Sequence, residues 1–558
     1  MEFVLGVHSG INASAAVCEL SGHQRLYALQ EERLTGEKNY TGFPTKAISE
    51  CLQKVHELGG SIALAAHASQ VVQTKHLRRG FLSSLMATFP ERHFDPHTNE
   101  LRAQLLTRER QSAPRVLTAE LYELGLTVPV LVLDHHESHA ATAAFGLNAG
   151  SQDGSMVVTC DGSGDGLSST VWLMQDGALT KVGETPDAAS IGLLYMWTTF
   201  DYGFRPQEDE YKLMGMAPYV SLKDARPVAN LFRDYVGITT DGLGFEAPHG
   251  DVQRAWPLIR NRLGRARFDH VFAGLQMFTE EILVDWLVQL VNQFRPRRVL
   301  GSGGVFMNVK VNQAIQQALP VPFHAFPSCG DESLSLGAAY LGARCLGVQT
   351  APIRHLFLDP RGCENALDVT PTRPVVNGVD ALEKVSSMLA RGALIGRCAG
   401  HMEFGARALG NRSLLCHPGD SAASDRLNRA VKQRDFWMPF APAVAEEHAD
   451  ALLEQNGISP RDRWMTTAFQ TTQVGRSALA ACVQPADGTA RAQIVDRREN
   501  GDFHDLLLHC ERAYGVAAVL NTSMNAHGHP LVRTSNQAIS FMRHHKLDGL
   551  LLGNALIC

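Results

Sequence analysis

Three stretches of the chain share one pattern: an apolar run rich in β-branched residues breaks into a turn of small residues. They are EFVLGVHSGINASAAV (2–17), SMVVTCDGSGDGLSSTVWLM (155–174) and RVLGSGGVFMNVKVNQAI (298–315). In the first two the pattern predicts a strand that turns and returns as another strand. In the third, the glycine turn leads into helical spacing. Buried strands punctuated by glycine turns, with helices between them, predict an α/β architecture. The likeness of the first two predicts an internal duplication. Apolar positions at helical spacing mark 45–57, 116–124, a long amphipathic helix over 268–294, and an Ala/Leu-rich helix over 334–347. From 348 to 376 the chain is rich in proline, which predicts a domain boundary. A second α/β unit follows, opening with a helix (ALEKVSSMLARG) and a strand (ALIGRCAG).

Length agrees with more than one unit. The chain has 558 residues, and one domain takes about 100–200, so two to four units are expected. With 45% hydrophobic and 19% charged residues it reads as a soluble globular protein. A formal net charge of −6 gives no global reason to bind nucleic acid. The first segment lacks a basic start and carries His8 and Asn12 inside its apolar run, so it reads as a buried strand rather than a signal peptide. No apolar stretch of roughly 18 residues predicts a membrane span. The 11 cysteines form no CxxC pair, which predicts reduced thiols and a cytoplasmic location.

The densest chemistry in the first half is HHESH (135–139), between a strand-like VPVLVLD and a helix-like SHAATAAFG. His135 and His139 are four apart and share one helix face, where two imidazoles can hold one metal ion. A turn-capping or core role is equally open for them. The order is not HExxH, so no metalloprotease motif is present. Asp161, in TCDGSGDG, and Asp331, in PSCGDESLSLGAAY, stand where a carboxylate can face a cleft or merely cap a turn. Two histidines with carboxylates would suit Fe(II), Zn or Mn. Gly303 and Gly304 in GSGGVFMN open a turn whose N–H groups can approach a phosphate, though without a P-loop or dinucleotide fingerprint. Glu210 and Lys212 in EDEYKLMGMAPY precede a turn.

The second half gathers Arg, Lys and amide residues on three strand-edge turns. EFGARALGNRSLLCHP carries Arg407, Asn411, Arg412 and Ser413. LNRAVKQRDFWMPFAP carries Lys432 and Arg434. VLNTSMNAHGHP carries Asn521, Thr522, Ser523 and Asn525, and Arg491 lies in DGTARAQIV. Guanidinium forks beside amides and hydroxyls suit phosphate oxygens.

Taken in order along nearly the whole chain, QEERLTGEKNYTGFP, HHESH, DGSGDG, DEYKLMGMAPY, GSGGVFMN, CGDESLSLGAAY, EFGARALGNRS, LNRAVKQRDFW and LNTSMN resemble the NodU/CmcH family of O-carbamoyltransferases. The resemblance implies two domains. Residues 1–355 would be a duplicated actin/hexokinase-like ATPase fold, like the transferase of the tRNA threonylcarbamoyladenosine machinery. Residues 376–558 would be a YrdC-like α/β domain that makes carbamoyl-adenylate from ATP and carbamoyl phosphate. The carbamoyl group would pass to a hydroxyl of a small-molecule, natural-product acceptor at an iron site. By the same resemblance, His135, His139, Asp161 and Asp331 hold the metal, Fe(II) or another divalent ion. Gly303, Gly304 and Asn308 hold the adenylate, and Glu210 and Lys212 belong to a charged turn. Arg407, Asn411, Arg412, Ser413, Lys432, Arg434, Arg491, Asn521 and Ser523 line the YrdC-like pocket, with Mg accompanying ATP. His135, His139, Lys212 and Arg407 are the catalytic candidates.

The chain departs from that pattern in places. Ile11 and Asn12 stand where many members have His-Asp. His401 and Met402 fall between Gly400 and Glu403 in a Gly-Arg-x-Glu motif, Met438 replaces an Arg, Pro485 lies near an expected His, and His527 and His529 occupy Arg or Glu positions. The base for the acceptor hydroxyl is therefore open, His8 being one candidate. Two other readings stand beside the transferase: a carbamoyl-adenylate enzyme acting on RNA or protein, and a nucleotide-switched binding protein of actin-like fold. The net acidity disfavours an RNA partner. No oligomeric state and no acceptor identity follow from the sequence.

Overall fold

The repeated strand-turn-strand pattern folds into two sheets with one topology. In the computed structural model, which describes residues 1–22, 24–74, 96–147, 154–363, 375–454 and 463–558, the first half carries β1 (Glu2–His8), β2 (Ser14–Glu19), β3 (Leu26–Gln30), β4 (Ser61–His67) and β5 (Val130–Val132) in the order β3-β2-β1-β4-β5. It then carries β6 (Ser155–Gly164), β7 (Leu167–Gln175), β8 (Ala178–Pro186), β9 (Arg298–Ser302) and β10 (Phe323–Ala325) in the order β8-β7-β6-β9-β10. In each sheet the first three strands are antiparallel and the last two run parallel to the first. The repeated strand order is the internal duplication that the two glycine-turn segments pointed to.

β1 is buried at every residue after Glu2, because it is central and flanked by a parallel neighbour, where both faces are covered. β8 is a sheet edge and keeps exposed positions along its length. The predicted helices appear as Thr45–Glu57, the end of Pro96–Glu123, Phe268–Phe294 and Leu334–Cys345. The long helix stops at Arg295, whose left-handed backbone caps it. Among the described residues no helix is long and apolar enough to cross a membrane.

The chain divides into two compact units: Met1–Thr35 with Asn39–Ile353, and Gly36–Lys38 with Arg354–Cys558. Part of the proline-rich junction, 364–374, lies outside the described residues. The second unit holds one mixed eight-stranded sheet. Its strands are β11 (Val375–Asn377), β12 (Ile395–Cys398), β13 (Arg412–Cys416), β14 (Ala441–Ala445), β15 (Gln493–Val495), β16 (Ala518–Ser523), β17 (Gly549–Leu552) and β18 (Ala555–Ile557), ordered β11-β18-β17-β12-β13-β16-β14-β15. Alternation along the strands divides the apolar side chains between two cores. Leu414, Leu520 and Leu550 enter one, and Leu415, Val519 and Leu551 the other. The unit opens on β11 rather than on the expected helix. Three residues are too few for a periodic signal, and β11 is recognised only through its pairing with β18.

Candidate functional site

In the first unit the ends of three strands bring His135, His139, Asp161 and Asp331 together. The helix His135–Gly146 starts just after β5 because Asp134 caps it, accepting from Glu137 N at 3.0 Å, while Asp165 accepts from His135 N at 2.9 Å. The i, i+4 spacing then brings the two imidazoles edge to face, with ring centres 4.8 Å apart and planes inclined at 72°. Asp161 comes from the end of β6, and Asp331 opens a short 3-10 turn after β10. His135 Nε2 lies 3.1 Å from Asp161 Oδ2 and 3.8 Å from Asp331 Oδ1; His139 Nε2 lies 3.4 and 3.5 Å from the same oxygens.

These separations fit one metal ion. With bonds of about 2.0–2.2 Å, neighbouring ligand atoms lie about 3.0–3.5 Å apart. The four ligand atoms all fall within 4.8 Å of one another. His139 Nε2 is buried and makes no hydrogen bond, whereas its Nδ1 meets Ser302 Oγ at 3.3 Å. A ring nitrogen tied to a second group while the other points at two carboxylates is how proteins orient a metal-binding histidine. Burial alone would lower the His135 pKa, but Asp161 and Asp331 outweigh it and lift it to about 9. The two histidines hold Asp161 well below the usual carboxylate range against its own burial.

The DGSGDG segment does more than supply Asp161. Gly164 lets the His135 ring in: a Cβ there would sit 2.1 Å from His135 Cδ2. Asp165, with φ of 51°, bonds His135 N, Ser69 Oγ and Gln70 N. Only Asp161 was singled out from the sequence. The signal for its neighbours was the density of Asp and Gly, which has no period. His67 and Ser9 were also missed. Ser9 Oγ is 2.8 Å from His67 Nε2, and His67 Nδ1 is 2.7 Å from Ser69 O. His8 is buried, its Nε2 3.0 Å from Ile11 O, and burial pushes its pKa down to about 4, so it is a neutral ring. Asn12 stands in the turn with a left-handed backbone, φ 57°, which asparagine tolerates.

Other candidates have structural partners. Gly303 adopts φ 102°, and a Cβ there would meet Cys160 O at 2.3 Å, so the turn needs glycine. A Cβ on Gly304 would stand 3.1 Å from Asp161 Oδ1. Asn308 caps the helix Val309–Ala318 through Lys310 N and Val311 N, and exchanges bonds with Gln276. Glu210 and Lys212 lie on the helix Glu210–Met216, a correction to the turn expected there. The helix shows no period over seven residues. Burial raises the Glu210 carboxyl to about 7, and Lys212 Nζ is 3.2 Å from Asp209 Oδ1.

In the second unit the three turns converge. Asn521 Nδ2 donates to Ala408 O and Gln493 Oε1, Met524 N donates to Arg412 O, and Lys432 Nζ bonds Ser523 Oγ at 3.0 Å and Asn525 Oδ1 at 2.7 Å. Burial drives the Lys432 pKa well below that of a free lysine. Arg434 donates to Thr522 Oγ1 and lies over Phe440. Three presumed ligand contacts are engaged within the protein. Arg412 is 1% exposed and donates to the carbonyls of Arg533, Ala399, Asn411 and Gly400, which occupies four of its five N–H groups. Asn411 bonds His401 O, Arg397 and Asn500. Ser413 Oγ accepts from Gly410 N. Arg407, Arg434 and Arg491 are half-buried, although Arg491 Nε is itself buried.

Comparison with known proteins extends this picture. The family model described as Carbamoyltransferase N-terminus matches residues 4–340, and the one described as Carbamoyltransferase C-terminus matches 386–558. The chain is 29% identical over 565 residues to the nodulation protein NolNO of Sinorhizobium fredii (strain NBRC 101917 / NGR234), covering 97% of this chain and 78% of that protein. It is 30% identical over 443 residues to the nodulation protein NolO of Bradyrhizobium diazoefficiens, covering 76% and 78%. A shorter match, 29% over 170 residues and 30% of this chain against 31% of the other, joins it to the 3'-hydroxymethylcephem-O-carbamoyltransferase of Streptomyces clavuligerus.

Proposed function

The chain belongs to the carbamoyltransferase family, and from that premise we propose that it is an ATP-dependent O-carbamoyltransferase working in two steps. The second unit takes carbamoyl phosphate, water and Mg-ATP: water cleaves phosphate from carbamoyl phosphate, and the carbamate oxygen left behind attacks the α-phosphorus of ATP, forming carbamoyl-adenylate as pyrophosphate leaves. The first unit passes the carbamoyl group to a hydroxyl of a small, natural-product-like acceptor, with AMP leaving. The observation that carries this reading is the four-donor cluster of His135, His139, Asp161 and Asp331, with separations of 3.1–3.8 Å. Two imidazoles and two carboxylates suit Fe(II) or another divalent ion. Such an ion, when bound, would supply charge stabilisation to the departing phosphate.

The chain's own residues prepare the rest. Ser302 holds the His139 ring and Asp165 anchors the start of the helix that carries both histidines. The Gly303 N–H is given to Cys329 O at 2.9 Å, and Gly304 has its free side beside Asp161, where a Cβ would stand 3.1 Å from Oδ1, so that side of the turn is where a phosphate oxygen would be received. In the second unit Arg407, Arg434 and Arg491 carry guanidinium forks of the kind phosphate oxygens accept, and Lys432 holds Ser523 at the end of β16. Carbamoyl-adenylate hydrolyses readily, so enclosing it protects the product.

The test needs no acceptor. Purified protein is mixed with ATP, carbamoyl phosphate and Mg²⁺, pyrophosphate is assayed, and carbamoyl-adenylate is sought by mass spectrometry. Pyrophosphate that depends on carbamoyl phosphate supports the first step and opens a screen of hydroxylated acceptors. Bound ATP without pyrophosphate, with or without candidate acceptors, would favour the nucleotide-switched binding protein instead.

A further inference from the structure

We propose that Glu403 is a positioning residue for adenylate formation, acting through the backbone of the 408–412 loop; this rests on the reading of the second unit as the adenylate-forming half. Glu403 is fully buried at 0% exposure. Its Oε1 accepts three backbone bonds, from Leu409 N at 2.7 Å and from Asn411 N and Arg412 N at 3.2 Å each. Converging N–H groups of this kind are the donor set that proteins otherwise offer to an external anion. Here a carboxylate of the chain itself fills it.

Nearly every other polar group of the loop backbone is also fixed by a buried side chain. Asn521 takes Ala408 O at 3.1 Å, Gln493 takes Leu409 O at 2.8 Å, Ser413 takes Gly410 N at 3.1 Å, and Arg397 takes Gly410 O at 2.7 Å. The loop therefore has one conformation, set by residues that reach it from four other places in the sequence. Its shoulder presents the half-buried Arg407. Glu403 Oε2 is buried and accepts no bond, so a neutral amide could supply the same single acceptor without burying a charge. The position carries a carboxylate nonetheless, beside two buried guanidinium groups, Arg397 and Arg412. The loop's shape thus depends on one buried side chain.

The experiment compares wild type with Glu403→Ala, Glu403→Gln and Glu403→Asp by two readouts. One is carbamoyl-phosphate-dependent pyrophosphate release, and the other is hydrogen exchange at the amides of residues 409, 411 and 412. Removal of an outer-shell orienting group costs about 10–100-fold. The expected result is such a fall in kcat/KM for carbamoyl phosphate in Glu403→Ala, with faster exchange confined to the three amides. Glu403→Gln keeps an acceptor and should restore protection and recover activity to within about tenfold. Wild-type kcat/KM in Glu403→Ala, or unchanged protection of those amides, overturns the proposal. If the alanine variant does not fold, Glu403→Asp decides, because it keeps the charge but draws the oxygen away by one methylene. Full activity there likewise overturns it. If wild-type protein releases no pyrophosphate, the two-step function fails, while the exchange data still report whether Glu403 holds the loop.

Discussion

Replacing Gly164 by alanine would place a methyl carbon 2.1 Å from His135 Cδ2, 2.3 Å from Cγ and 2.5 Å from Nε2. Non-bonded carbons rest about 3.5 Å apart, so the ring must retreat by roughly 1 Å or more. Its backbone cannot follow easily, since His135 N is held by Asp165 at 2.9 Å and the residue begins a helix. Nor is Gly164 left-handed, so the new residue meets only the clash and not a backbone penalty. Metal–ligand distances tolerate about 0.2 Å, and a 1 Å displacement removes His135 Nε2 from the set. The expected result is at least about 100-fold weaker binding of a divalent ion, with about 1–3 kcal/mol lost from the metal-free protein through overpacking. Gly162→Ala is the control in the same turn, because its nearest neighbour would be Leu193 Cδ2 at 4.0 Å. Equilibrium dialysis with Mn²⁺ and anaerobic Fe²⁺, together with urea melts, measures both quantities. A Gly164→Ala protein that binds either ion as tightly as wild type would refute the ligand role of His135.

Three further outcomes follow from the geometry. His139→Ala removes a ligand and should abolish transfer while leaving carbamoyl-phosphate-dependent pyrophosphate release intact; equal loss of both would break the assignment of the two steps to two units. Arg533 and Asp359 form a buried pair at 2.8 and 3.0 Å, so Arg533→Ala should lower the stability of the second unit by about 3–5 kcal/mol, read from chemical denaturation, and a loss below 1 kcal/mol would mean the aspartate finds water. Burial, helped by Asp209 and Glu208, raises the Glu210 carboxyl from 4.5 to about 7, so the folded state binds that proton more tightly. Its contribution is therefore complete below pH 4.5 and lost as pH rises through about 7. Glu210→Gln should flatten that part of the stability curve, and an unchanged slope would refute the burial of the charge.

The sequence and the structure agree most where a signal is local. The two glycine-turn segments did become the central strands β1 and β6 of two sheets with one strand order, and the 268–294 period did become one helix. The His135–His139 pair was legible because a helix puts residues four apart on one face. What was hidden is tertiary. Asn308, Asn411 and Arg412 carry the residue types of phosphate recognition, yet their side chains cap a helix or hold backbone carbonyls. Asn, Arg and their like serve a ligand and a loop with the same hydrogen bonds, so type and spacing cannot distinguish the two uses. Glu403 was legible only as the acidic residue of the Gly-Arg-x-Glu motif and was given no role; its three amide partners are visible only once the loop closes.

The placement of the first cluster follows from topology rather than from spacing. The histidine helix begins where β5 ends, Asp161 lies near the carboxyl end of β6, the Gly303 turn follows β9 and Asp331 follows β10. In an open α/β sheet the chain leaves each parallel strand on the same side, so loops from distant sequence positions gather there. His135 and Asp331 are far apart in the chain, yet their Nε2 and Oδ1 atoms are 3.8 Å apart because each sits one turn beyond such a strand end. The duplication therefore supplies the two halves of the proposed ligand set from different repeats. The histidines follow the last strand of the first sheet, and both carboxylates belong to the second. Any change that shifts one sheet against the other alters all four separations at once. If the cluster binds metal as proposed, its affinity reads out how the two repeats are packed, and a core substitution far from the four residues should weaken it in proportion to the shift it causes.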